Sequence, residues 1–340
     1  METLIALLVA LGLSTFLTQR FCDPESRLHI LDHPNERSLH TRPTPRTGGL
    51  AVVVGVLFGI TLWMAMVHMP HPLVLLCVCA LLVAGLSFLD DMKGMSVGSR
   101  FAGHLVASGV LLAGGLALKR LEFPGWVWDW PAWLGVMFST LYLVWMINLY
   151  NFMDGMDGFA GGMGVFGFGT FALLGGLAGH HAFLATSLIV AAGTSGFLLF
   201  NFPPARIFMG DTGSSALGFL AGGFSLWGVS EGVFPFWIAL LVFSPFVVDA
   251  SVTLIRRLLY RERVWQAHKT HYYQRLVQLG WGHRKTVLCE YALMLACSVS
   301  AIWATSLGEL GQLRLALFWC GLYLTLMVAI TRLENNKAPS

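Results

Sequence analysis

Apolar residues in this chain rarely alternate with polar ones. They gather in runs of about 20, divided by short polar stretches, from residue 3 to residue 331. At 1.5 Å per helical residue such a run spans the roughly 30 Å hydrocarbon layer of a bilayer, so each predicts a transmembrane helix. Eleven candidate spans result: 3–19, 48–67, 73–89, 101–118, 133–149, 158–178, 181–200, 213–229, 234–255, 287–306 and 313–331. The predicted fold class is therefore all-α: a polytopic integral membrane bundle of about 11 transmembrane helices. No solenoid repeat and no low-complexity linker divides it, so residues 1–340 read as one membrane-embedded domain.

Composition narrows the classes further. The chain is 56% hydrophobic and only 11% charged, against about 25% charged for a soluble domain, with a mean hydropathy of +0.69. That excludes a secreted disulfide scaffold, a disordered chain and a soluble two-domain enzyme. The six cysteines lie mostly inside apolar runs without a C-x-x-C pair and read as small packing residues.

The first run has Glu2 before it, Arg20 after it and no small-x-small cleavage pattern, which predicts an uncleaved anchor with its N-terminus outside. That orientation leaves only Lys119, Arg120 and Arg314 outside, with 18 of the 21 Lys and Arg residues inside and a cytoplasmic C-terminus. Polar sequence then collects in five inside loops, 20–47, 90–100, 150–157, 201–212 and 256–286. The last carries eight Lys or Arg against Glu262 alone, which suits a lipid-headgroup surface or an anionic ligand.

Candidate chemistry falls in those loops. Asp90 and Asp91 close a span at its C-terminus, where the helix dipole disfavours negative charge. They read as an interfacial acidic pair or as a metal-facing or proton-handling one, with Lys93 as a nearby charge partner. The segment from Asn148 to Gly158 holds Asn148, Asn151, Asp154 and Asp157, oxygen donors suited to a hard cation or a polar ligand, although acids before a helix also serve as caps. Asp211-Thr212-Gly213-Ser214 opens a helix pointing inside, where free N–H groups and hydroxyls suit a phosphate and Asp211 suits Mg²⁺ or an N-cap. Phe208 suits either a nucleobase stack or an interfacial anchor.

Asp249 lies within an apolar run and reads as a functional acid or an ion pair with Arg256. His268, Lys269, His271 and Arg275 follow in the basic loop, where the histidines could reach a phosphate or a sugar. The 35–49 segment adds Arg46 and a Pro/Gly-shaped turn. Gly162-Met-Gly164-Val-Phe-Gly167 spells G-x-G-x-x-G but lacks a βαβ context, so close helix packing explains it better than a dinucleotide site.

Four segments in order, Pro43 to Gly49, Asp90-Asp91, Asn151 to Gly158 and Phe208 to Ser214, resemble motifs of the polyprenyl-phosphate sugar-1-phosphate transferases, glycosyltransferase family 4. The resemblance covers almost the whole chain. It implies transfer of a sugar 1-phosphate from a UDP-N-acetylhexosamine to undecaprenyl phosphate, with UMP released, in a bacterial inner membrane with a cytoplasmic active site. The partners it implies are the UDP-sugar, undecaprenyl phosphate, membrane lipid and often a second copy of the chain, and no nucleic acid. The implied cofactor is Mg²⁺, with Mn²⁺ as an alternative.

By motif position Asp211 resembles the principal Mg²⁺ ligand, with Asp91 beside it, and Asp90 and Asp91 resemble the pair for the acceptor phosphate and its proton. Asn151, Asp154 and Asp157 resemble the nucleotide and pyrophosphate shell, and Phe208 the uracil-stacking aromatic. Arg46, Asn148, Asp249, His268, Lys269, His271 and Arg275 complete the expected substrate contacts. The basic loop departs from the family's H-x-H-H cluster: only His271 matches, with Tyr273 and Gln274 following. It looks more like the subgroup that begins O-antigen or related glycan synthesis than the muramoyl-pentapeptide branch. A transporter or flippase is the rival class, and acids gathered on one membrane face count against it. A CDP-alcohol phosphotransferase would need a D-G-x-x-A-R continuation after Asp154-Gly155, which is not there.

Overall fold

The computed structural model describes residues 1–34, 38–67, 72–263 and 268–336. Arg37 and Lys337, counted above with the inside basic residues, and Asn35 to Arg37 of the first loop lie outside the described residues. Apolar runs become helices because a backbone in hydrocarbon must pair its N–H and C=O groups within the segment. Helix α1 (Glu2–Cys22) leads through the paired strands β1 (Leu31–Asp32) and β2 (Thr44–Pro45) to α2 (Gly48–Val67), α3 (Pro72–Lys93) and α4 (Val97–Leu111). A wide turn over Leu112–Leu116 and the hairpin β3 (Arg120–Phe123) and β4 (Trp126–Asp129) connect to α5 (Ala132–Met153). Then come α6 (Phe159–Leu177), α7 (His181–Asn201), α8 (Gly210–Ser230), α9 (Phe236–Val242), α10 (Ser244–Leu259), α11 (Tyr272–Leu276), α12 (Gly282–Ala304) and α13 (Glu309–Asn335).

Each of the eleven predicted runs is helical over most of its length. Among the described residues eight helices are long and apolar enough to cross a bilayer, or nine if α9 and α10, bent by 85°, form one span. Two expected spans fall short for different reasons. The regular part of α4 has only 15 residues and continues into the wide turn over Leu112–Leu116. In α8 every residue from Thr212 to Gly228 is buried, so this helix meets protein where its neighbours meet lipid and can be less apolar. The α9–α10 bend falls where Pro245 begins a new helix at its first turn.

Helix α8 is the axis of the bundle, packed by α2, α3, α5 and α6, while α7 packs on α1, α2 and α6. The G-x-G-x-x-G stretch is a packing surface: Gly162 faces the Tyr291 ring, Gly164 faces Thr194 and Gly167 faces Phe243, each too close for a Cβ. Cys77, Cys79 and Cys297 are buried as expected of packing residues, whereas Cys289 and Cys320 are exposed.

Candidate active site

The first loop and the α7–α8 connection are joined by a short backbone ladder. Phe208 donates to the Pro45 carbonyl at 2.7 Å, Gly48 to Phe208 at 3.0 Å and Gly49 to Met209 at 2.8 Å. The ladder satisfies N–H groups at the start of α2 that have no partner within the helix. It also brings two sequence motifs into one unit. Gly210 turns the chain at φ 70, and a Cβ there would meet the Arg46 carbonyl oxygen at 2.3 Å.

The acidic pair at the end of α3 finds its compensation here. Asp91 Oδ2 accepts from the Thr212 N–H at 3.1 Å and from the Thr212 hydroxyl at 2.8 Å, so it caps α8 where the dipole favours negative charge. The Thr212 groups expected to face a phosphate are therefore engaged by Asp91. Arg46 Nη2 donates to the Asp91 carbonyl at 2.7 Å. Asp90 accepts from the Met95 N–H and lies 2.9 Å from Arg100 Nη1. Arg100, not the neighbouring Lys93, is its charge partner, and the same nitrogen lies 3.7 Å from Asp211.

Asn151, at the end of α5, accepts from the Ser214 hydroxyl at 3.3 Å. Asp154 follows at the C-cap of α5. Burial and then the Asp211 and Asp91 carboxylates hold its carboxyl well above the ordinary range. Burial, followed by Asp91, pushes Asp211 up to about 6 against the opposing pull of Asn151 and Arg100, although 36% of its side chain is exposed. Asp157 Oδ2 accepts from the Ala205 N–H at 3.0 Å, and Oδ1 lies 2.8 Å from His283 Nδ1.

These groups line one cleft of about 280 Å³. Arg46, Asp91, Asn151, Asp154, Asp157, Phe208 and Asp211 all contribute to its wall. Every one of the five predicted loops reaches it, the first also through Asp32 and His40 and the last through Gln274 and His283. A smaller cavity of about 100 Å³ is lined by Asp90, Arg100, His104, Asn148 and Phe152 and shares Asn151 and Asp211 with the cleft.

The basic loop behaves differently from expectation. Asp249, His268, Lys269, His271 and Arg275 do not line either cavity. Asp249 is buried and accepts from the Tyr272 and Tyr273 N–H groups at 3.0 and 3.1 Å and from Thr253 at 3.1 Å, with His271 Nδ1 at 3.2 Å. It anchors the start of α11, in place of the ion pair with Arg256. His271 caps α11 with Gln274. Arg275 joins α11 to α13 through Glu334, its Nε 2.6 Å from Oε1. Burial, with His271 and Arg257 nearby, lowers the His268 ring to about 4, so it is neutral near pH 7.

A hard cation fits the donors in the cleft. Among the described residues no three His, Cys, Asp or Glu side chains form a ready-made cage. Mg²⁺ does not require one, since it is commonly held by one or two carboxylates with water and substrate phosphates completing the shell. Burial raises Asp154 and Asp211, and neighbouring carboxylates raise them further, Asp211 and Asp91 acting on Asp154 and Asp91 on Asp211, a concentration of negative charge that such an ion would neutralise.

Sequence reasoning missed Asp32, Arg100, Gln274 and His283. Arg100 carries a weak signal as a cation in the same short loop as Asp90. His283 carries none.

The family model for glycosyl transferase family 4 matches residues 72–229. A probable undecaprenyl-phosphate N-acetylglucosaminyl 1-phosphate transferase of Bacillus subtilis is 30% identical over 314 residues, covering 92% of this chain and 87% of its own. The chain belongs to glycosyl transferase family 4. It is similar as well to a decaprenyl-phosphate N-acetylglucosaminephosphotransferase of Mycobacterium leprae, 28% identical over 78% of this chain and 74% of that one. A phospho-N-acetylmuramoyl-pentapeptide-transferase of Shouchella clausii is 28% identical over 76% of this chain and 83% of its own. Membership bears out the resemblance carried by the four motifs, and this family 4 chain is a multi-pass membrane transferase. The matched region holds the cleft acids from Asp91 to Asp211, whereas Asp32, His40, Arg46 and His283 lie beyond it.

Proposed function

We propose that this chain transfers a sugar 1-phosphate from a UDP-N-acetylhexosamine to undecaprenyl phosphate, giving undecaprenyl-diphosphate-sugar and UMP, at the cytoplasmic face of a bacterial inner membrane. The reading is carried by the convergence of five loops on one polar cleft that shares Asp211 and Asn151 with a second cavity. That second cavity includes Val97, Phe101 and Phe152, apolar side chains exposed at the bundle surface, together with Arg100. A nucleotide sugar suits the cleft. A polyprenyl phosphate needs an apolar approach and a cation, which the second cavity supplies.

In the reaction an acceptor phosphate oxygen attacks the sugar-bearing phosphorus, the bond to the bridging oxygen breaks, and UMP leaves. One phosphoanhydride replaces another, so the protein's task is to align two anions and offset their repulsion. Arg46, held by the Asp91 carbonyl, places fixed positive charge in the cleft wall, and Arg100, held by Asp90, places it 3.7 Å from Asp211. Asp90 has both oxygens engaged and serves here to orient Arg100. A phosphate monoester has its second pKa near 6, so the acceptor needs little help to ionise. Asp211, with Asp91, would hold Mg²⁺ or Mn²⁺, which when bound supplies charge against the diphosphate oxygens. Phe208 offers a face for the uracil ring, with His40 4.8 Å from it. Initiation of O-antigen or a related glycan is the physiological role that fits the basic-loop pattern.

Incubating membranes that contain the chain with radiolabelled UDP-N-acetylhexosamines and undecaprenyl phosphate tests this. Label should enter the organic phase with release of UMP, and the preferred member of the panel identifies the sugar. Label confined to the aqueous phase for every donor refutes the reaction. Asp211→Asn should lower divalent-dependent UMP release at least a hundredfold, as loss of a principal charge-stabilising group does (roughly 10²-fold or more), and full retained turnover would remove Asp211 from the site.

A further inference from the structure

Helix α12 begins at a break. Gly280 and Gly282, at φ 90 and 69, turn the chain between the Val277–Trp281 segment and the helix. Side chains with a Cβ avoid that region, so the two glycines determine where the first turn of α12 starts. That turn carries His283 into the cleft. Its Nδ1 is 2.8 Å from Asp157 Oδ1, with the two side chains 19% and 12% exposed. The other Asp157 oxygen accepts from Ala205.

The same imidazole and Leu39 of the first loop line the same cleft. Leu39 precedes His40, whose ring lies against Phe208 and whose Nε2 is 3.6 Å from Asp32. Asp32 in turn lies 4.0 Å from Arg46. A line of residues therefore runs from Asp157 through His283 to the wall of the cleft that the first loop forms opposite Asp154 and Asp211.

We infer that His283 is a positioning residue for the nucleotide sugar: paired with Asp157, it braces the first-loop wall of the cleft that bears Leu39, His40 and Arg46. This rests on the reading that the cleft takes a nucleotide sugar. Asp157, both of whose oxygens are engaged, then supports a wall of the cleft and leaves the donor's phosphates to other groups. A loop fixed before binding does not have to be ordered by the ligand, so the contact is expressed in affinity.

The test uses the full chain in nanodiscs, with His283→Ala and His283→Gln. Removing a charge-assisted contact of this kind should raise KM for the UDP-sugar about tenfold, with kcat within about threefold of wild type. Amide exchange over residues 38–46, measured without substrate, should accelerate while that of α6 and α8 stays unchanged. The glutamine variant retains one N–H donor and should recover part of both effects. It also carries the test if the alanine variant does not fold. Unchanged KM and unchanged exchange would overturn the inference. So would a fall in kcat with KM and exchange unchanged, which would make His283 a group acting on the reacting atoms. Because exchange is read without substrate, a wild-type chain that moves no label into lipid would refute the proposed reaction while the exchange result still judges the wall.

Discussion

Replacing Gly213 by alanine should disable the site without touching a single polar group in it. Helices α2 and α8 cross with their backbones in contact. A Cβ on Gly213 would lie 2.4 Å from Gly49 Cα and 2.4 Å from Met209 Cγ, and one on Gly49 would lie 2.3 Å from the Gly213 backbone. Carbon atoms approach comfortably to about 3.5 Å, so relief requires the helices to part by roughly 1 Å. Met209 can swing aside, but the Gly49 backbone cannot. The crossing sits two residues from Asp211 and three from Arg46, so the displacement passes directly to the cleft. Overpacking of this kind costs about 1–3 kcal/mol, and a 1 Å misplacement of catalytic groups lowers the rate roughly 10²-fold. UMP release at saturating substrate is the assay, with the melting temperature read in parallel. Gly109→Ala is the control, since a Cβ there meets nothing within 4 Å and should leave turnover intact. Turnover of Gly213→Ala within threefold of wild type would refute the claim that this crossing positions Asp211.

Three further outcomes are expected. Asp211, raised from 3.8 to about 6, and Asp154, raised as well, keep protons in the folded chain that the unfolded chain has released. Without divalent cations the melting temperature should therefore fall as pH rises from 4 toward 6 and beyond. Mg²⁺ replaces the proton, so its stabilising shift should be larger at pH 7.5 than at pH 5.5; equal shifts in differential scanning fluorimetry would contradict this. Arg275→Ala breaks the link between α11 and α13, in which Arg275 is 6% and Glu334 33% exposed. Allowing for that partial exposure, it should cost about 2 kcal/mol of stability and leave KM for the UDP-sugar within twofold, which thermal unfolding and steady-state kinetics measure together. Asp249→Asn replaces one accepting oxygen by an NH2 group that faces donors at the start of α11 and should cost about 1–3 kcal/mol; a changed divalent dependence with unchanged stability would instead place Asp249 in the reaction.

The helices and the motif acids were legible in sequence because both signals are local. An apolar run of sufficient length has few alternatives to a helix in lipid, and Asn151, Asp154 and Asp157 lie within seven residues of one another. What faces each helix is not local. Hydropathy treats α8 as one span among many, and its complete burial follows only from the neighbours that surround it. The same limit hid the partners of the charged groups. Asp90 pairs with Arg100 and not Lys93, and Asp249 with the start of α11 and not Arg256, because each choice depends on how chain segments return to one another. His268 and Arg275 look like anion ligands by charge, yet one is neutralised by burial and the other is matched by Glu334. His283 enters the cleft because two glycines redirect the chain just before it, a backbone event that leaves no mark on residue type at position 283.

The burial of α8 bears on how the enzyme tolerates its surroundings. Bilayers of different thickness strain the helices they wet, through tilt or local thinning. From Thr212 to Gly228 no side chain of α8 offers the acyl chains a grip. The depth of Asp211 is then set by protein neighbours and is insulated from mismatch, so thinning or thickening the membrane should tilt the outer helices while leaving the reacting centre in register.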